Sequence, residues 1–149
     1  MNKKYMQIAI DEAQKAYKKG EVPVGAVIVK NGEIIAQAHN TRETERSALG
    51  HAEINAVKTA CEKLDSWRLD GCEIYVTMEP CPMCAGAIIN ARISTVVFGS
   101  YDLKMGSFDS VVNLATLDFG FKPEIYGGIC EQECTALVKN FFEELRNED

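Results

Sequence analysis

Residues 72–100 read CEIYVTMEPCPMCAGAIINARISTVVFGS. The stretch divides into three by residue type. CEIYVTM (72–78), which follows an Asp70-Gly71 turn, has the β-branched and aromatic content of a strand. Pro82 then opens a helical segment, PMCAGAIINA, at the position proline favours. STVVFGS (94–100) is a short continuous apolar run, the pattern of a strand in the middle of its sheet. Strand, helix and strand in succession point to the α/β class.

The flanks extend the pattern. Met6, Ala9, Ile10, Ala13 and Tyr17 share one helical face, and Gly20 supplies a stop. VGAVIVK (24–30) and EIIAQAH (33–39) read as strands joined by Asn31-Gly32, a strong two-residue hairpin turn. Residues 40–50 are polar and aperiodic, hence a loop. HAEINAVKTACEKL (51–64) is helical, with Ile54, Val57, Cys61 and Leu64 on one stripe. After the second strand of the opening stretch come the loop YDLKMGSFDS (101–110), a short helical turn and a brief strand near EIYGG (124–128). A last helix carries Cys134, Leu137, Val138, Phe141, Phe142 and Leu145 at helical spacing. With no repeat, low-complexity tract or boundary, residues 1–149 form a single domain with a mixed sheet covered on both faces.

The bulk composition narrows the function classes. Hydrophobic residues at 46% and charged ones at 26% match a soluble domain with a sizeable core. No apolar run is long enough to span a bilayer, so no membrane partner is expected. Acids and a Gln occupy MNKKYMQIAIDEAQ where a secretion signal needs apolar residues, so a cytoplasmic protein is expected. Six cysteines in such a chain argue for reduced thiols and a metal rather than a disulfide framework. A net charge of −6 confines any nucleic-acid site to a local basic patch.

Cys81 and Cys84 stand where a strand gives way to a helix, a place that lowers thiol pKa. A thioredoxin-like redox pair uses the same context, so CPMC by itself leaves redox and metal readings open. Upstream, GHAEINA (50–56) puts His51 and Glu53 at the first turn of another helix. An imidazole and two thiolates make three good zinc ligands and leave the fourth tetrahedral position for water. Glu53 is then suited to move a proton between that water and a substrate. His51 and Glu53 could instead be only a cap and a favourable dipole charge. A closed structural zinc would need a fourth ligand from His39, Cys61, Cys72, Cys130 or Cys134. Cys61, Cys72 and Cys134 fit core positions better, and His39 fits the rim of a strand end.

The combination HAE…EPCPMCAGA resembles the signature of the zinc-dependent cytidine/deoxycytidylate deaminase superfamily. Within it, EVPVGAVIV, HAEINA, YVTMEPCPMCAGAIINARI and VVFGSYDLKMGS are similar to the bacterial tRNA-specific adenosine deaminases. The likeness continues through EIYGGICEQEC and the Phe141-Phe142 pair, nearly the whole chain. It implies a three-layer α/β/α cytidine-deaminase-like fold with a five-stranded mixed sheet, assembled as a homodimer. It implies one Zn2+ per subunit on His51, Cys81 and Cys84, with Glu53 as the catalytic proton carrier. The implied reaction converts adenosine to inosine at the wobble position of an arginine tRNA, releasing ammonia. The base is splayed from the anticodon stem-loop into a pocket. By position, Asn40 matches a base contact, Val24 a pocket wall and Ala52 a further substrate contact, with Asp102 and Lys104 near the flanking nucleotides. Phosphates are expected on Lys104 and Lys122 with Arg42 or Arg92. SALG (47–50) and the acidic FFEELRNED (141–149) depart from relatives that carry Asp-Pro-Thr-Ala and a basic terminus at those places. Three rival functions stand beside this one: a deaminase of a free base or nucleoside such as guanine or cytosine, a zinc-stabilised binding module, and a redox pair at Cys81 and Cys84.

Overall fold

Asn31 and Gly32 take φ of 50° and 78°, a tight turn that folds β1 (Gly25–Lys30) back on β2 (Glu33–His39). Such left-handed residues match the twist of a hairpin, so the expected turn is present. The structure, a computed structural model, describes residues 2–148. Met1 and Asp149, the ends of the domain expected over 1–149, lie outside the described residues.

The sheet has five strands in the order β2-β1-β3-β4-β5, adding β3 (Cys72–Met78), β4 (Thr95–Ser100) and β5 (Glu124–Tyr126). β1 pairs antiparallel with β2 and β3, whereas β3–β4 and β4–β5 are parallel, so the sheet is mixed. Alternate residues serve opposite faces. Ala26, Ile28, Ile74, Val76, Val96 and Phe98 pack under α2 (Ala52–Leu64) and α3 (Pro82–Ala91). Val27, Val29, Tyr75 and Val97 pack under α1 (Lys3–Lys18) and α4 (Glu131–Asn147). No helix among the described residues is long and apolar enough to cross a membrane.

Two helix faces differ from expectation. On α2 the buried side chains are Ala52, Glu53, Ala56 and Ala60, while Ile54, Val57, Cys61 and Leu64 are only half-buried. Alanines let the helix axis lie close to the sheet, and the larger residues flank that seam. On α4 only Cys134 and Phe141 are buried, and Phe142 and Leu145 remain 40% and 50% exposed. α4 approaches the sheet closely at one point: a Cβ on Gly99 would lie 2.4 Å from Cys134 Sγ. Cys72 and Cys134 are core residues, as their positions imply.

The strand directions bring the chemistry to one edge. β3 and β4 end there, β1 begins there, and β2, antiparallel to β1, ends there as well. Val24, Asn40, Glu79, Cys81 and Tyr101 therefore meet at the carboxyl edge of the parallel strands, where open α/β sheets form their crevices.

Candidate active site

Helices α2 and α3 both start at that edge, with His51 and Cys81 as their N-cap residues. Neither side chain caps its own helix. Asn40 does so for α2: its Oδ1 accepts the Ala52 N–H at 2.8 Å while its Nδ2 donates to the Val22 carbonyl at 2.9 Å. His51 is thereby left free to face the thiols. Its Nδ1 lies 3.6 Å from Cys81 Sγ and 3.5 Å from Cys84 Sγ. The three donor atoms lie within 4.8 Å of one another, the one such His/Cys/Asp/Glu group among the described residues.

The electrostatics favour a cation among them. The Cys84 side chain holds Cys81 down to about 4 despite burial, with His51 adding to the effect. Cys84 is pushed up, first by Cys81 and then by burial. One thiolate thus suppresses the other, a conflict that a divalent ion removes, and two helix N-termini add positive potential. Geometry agrees as well. Zinc bonds of about 2.1 Å to nitrogen and about 2.3 Å to sulfur at a tetrahedral angle put N and S about 3.6 Å apart. The donor set fits zinc. Cys130 and Cys134 form no such group among the described residues.

Glu53, two residues beyond His51, is 4% exposed, and burial pushes its carboxyl up to about 7. That value suits a group that must both take and give a proton near neutral pH. It faces a cleft of about 1080 Å³ together with His51 and Cys81. Val24, Asn40, Asp102 and Lys104 also line the cleft. Ala52 does not: it is fully buried and its N–H is held by Asn40. Of the cations expected to meet phosphate, Arg42 and Lys104 line the cleft. Arg92 caps the far end of α3 and stacks on Phe121, 5.6 Å from the ring centre, and Lys122 precedes β5 at that same distant edge. His39 stands half-buried at the end of edge strand β2, as expected, with its Nδ1 2.9 Å from buried Glu12 and its Nε2 3.3 Å from Lys19.

Two further glutamates hold the cleft walls. Glu21, 1% exposed, accepts the Glu43 N–H at 3.0 Å, the Thr44 N–H at 2.6 Å and the Thr44 hydroxyl. Glu79, 2% exposed, accepts N–H groups of Asp102, Phe108 and Ser110. Nothing local in the sequence marks Glu21. Glu79 stands inside the quoted EPCPMC motif, where the cysteines draw the eye past it.

Comparison with known proteins accords with this site. The MafB19-like deaminase family model matches residues 1–146. A tRNA-specific adenosine deaminase of Bacillus subtilis (strain 168) is 51% identical over 143 residues, covering 95% of this chain and 89% of the relative. One from Aquifex aeolicus (strain VF5) is 46% identical over 99% of this chain and 98% of the relative. A structure solved in a study of A-to-I editing by tRNA:A34 deaminases superposes with a TM-score of 0.88 at 38% identity, over 91% of this chain and 99% of that one. A guanine deaminase from Bacillus subtilis superposes less well, with a TM-score of 0.64 at 30% identity over 80% of this chain and 87% of that one. With its sheet, its His–Cys–Cys cluster and a likeness that runs almost end to end, the chain belongs to the tRNA-specific adenosine deaminase family.

Proposed function

We propose that the chain converts adenosine to inosine at the wobble position of a tRNA anticodon, consuming water and releasing ammonia. The family membership supports the reaction, and the exposed apolar rim of the cleft is the observation that carries the substrate. The cleft, of about 1080 Å³, lies at the upper end of the range of about 300–1,000 Å³ usual for small-molecule sites. Its rim bears exposed Leu103, Met105 and Phe142, apolar surface against which bases beside the reacting one can rest.

His51, Cys81 and Cys84 hold one zinc per chain in this proposal. A zinc ion so held lowers the pKa of a coordinated water to about 7. Glu53 takes a proton from the attacking water and places it on the ring nitrogen beside C6. It then moves the second proton to the departing amine, so that a C6–O bond forms, the C6–N bond breaks and ammonia leaves. Val24 walls the base, and Asp102 and Lys104 meet the flanking nucleotides. Asn40 acts from the cleft wall and through the helix start it caps. The family resemblance favours an arginine tRNA and a homodimer. Trp67, Val111, Val112 and Phe119 are exposed apolar side chains that a second copy could cover.

An anticodon stem-loop with adenosine at the wobble position should be deaminated far faster than free adenosine, cytidine or guanine at matched concentration. Binding energy from the neighbouring nucleotides has to position C6. Faster turnover of a free base would overturn the tRNA substrate in favour of nucleobase deamination.

A further inference from the structure

The 101–110 segment supplies Tyr101, Asp102, Leu103, Lys104 and Met105 to the cleft wall, yet no helix or strand longer than an isolated bridge holds it. Its anchor is Glu79. The Asp102 N–H donates to Oε1 at 3.1 Å, the Phe108 and Ser110 N–H groups to Oε2 at 3.3 and 2.9 Å, and the Ser110 hydroxyl to Oε1 at 2.5 Å. Among the described residues no Lys, Arg or His pairs with this carboxylate. Its charge is met by loop donors alone. Gly106 lies against it, and a Cβ there would be 2.4 Å from Glu79 Cδ. The next peptide group joins the same attachment, with the Ser107 N–H donating to the Pro80 carbonyl at 2.9 Å.

Glu79 and Pro80 are also the two residues immediately before Cys81. We propose that Glu79 is a positioning residue that locks the substrate-facing 101–110 loop to the chain segment bearing the Cys81 and Cys84 thiols. The distance between the reacting centre and the loop that meets the neighbouring nucleotides is thereby fixed. A carboxylate is required because four donors converge on two oxygens, and only an acceptor-only group satisfies them all. A glutamine would turn an NH2 toward donors on one side.

This inference rests on the proposed tRNA reaction for its kinetic readout and is independent of it for its structural one. Glu79→Gln should keep one zinc per chain, raise KM for the stem-loop about tenfold and leave kcat within about threefold. Amide hydrogens of Asp102, Phe108 and Ser110 should exchange at least about tenfold faster, while those of β1 and β3 keep their protection. Ser110→Ala removes one donor and should move KM and exchange in the same direction by a smaller factor; it carries the test should Glu79→Gln fail to fold. Unchanged KM with unchanged exchange at 102–110 would overturn the proposal. So would loss of zinc with kcat and kcat/KM falling together, since that marks support of the metal residues instead of the loop. If the wild-type protein leaves the stem-loop untouched, the substrate proposal fails, and the exchange data still decide the role of Glu79.

Discussion

The floor of the cleft and its walls are built differently. His51, Glu53, Cys81 and Cys84 sit on the first turns of two helices, and their backbones are set by secondary structure before any ligand arrives. The walls at 40–50 and 101–110 have almost no regular structure, and a buried carboxylate, Glu21 or Glu79, gathers several backbone N–H groups of each. The floor needs fixed distances of a few ångströms for proton transfer. The walls must meet a large substrate, and loops on a rigid frame meet that need. Of the three buried glutamates at the cleft, Glu21 and Glu79 hold backbone, and Glu53 is the one proposed to move protons.

Floor and walls should differ most in their dependence on the metal. Cys84→Ala or His51→Ala should lose zinc from about one ion per chain to near none and abolish turnover, with a loss of stability as well. Elemental analysis of the purified variants reads this directly. Chelation of the wild-type protein should loosen amides near 51–53 and 81–84 while those of Glu43 and Thr44, held by Glu21, stay protected. Equal loosening in both places would mean that floor and walls are one unit.

A smaller effect is expected at Glu21. Glu21→Gln places an amide donor against N–H groups and should cost about 1–3 kcal/mol of stability with zinc retained. Urea unfolding measures the first and metal analysis the second. Acid provides a related test. Burial raises both Glu12 and Glu21, but hydrogen bonds outweigh it and hold each below the ordinary 4.5, from His39 and Lys15 for Glu12 and from Thr44 and Glu43 for Glu21. With folded values below unfolded ones, their stabilisation is complete above pH 4.5 and is lost as pH falls through the folded values. The urea midpoint should fall as the pH drops below about 5, and less steeply in Glu12→Gln. The smallest effect concerns salt. With only Arg42 and Lys104 as cations on the cleft lining, log affinity for the stem-loop should fall against log salt with a slope no steeper than about −3.

Much of the floor was legible in the sequence because its residues are neighbours. Asn31-Gly32 set the hairpin, Pro82 opened α3, and HAE with CPMC named the chemistry. Long-range acceptors left no such mark. Glu21 meets Glu43 and Thr44 more than twenty residues away. Helical periodicity also misplaced the buried face of α2, since hydrophobic size suggested Ile54 and Leu64 whereas close packing selected Ala52, Ala56 and Ala60. Arg92 and Lys122 were expected at phosphate on charge alone, and strand direction puts them at the opposite edge.

Glu53 is proposed to move the protons beside a metal held by other residues. Single-turnover deamination of the stem-loop by Glu53→Gln, with zinc measured on the same preparation, tests it most directly. The variant should hold about one zinc per chain and react at least about a hundredfold more slowly than wild type. A zinc-loaded variant that keeps more than about a tenth of the wild-type rate would contradict it.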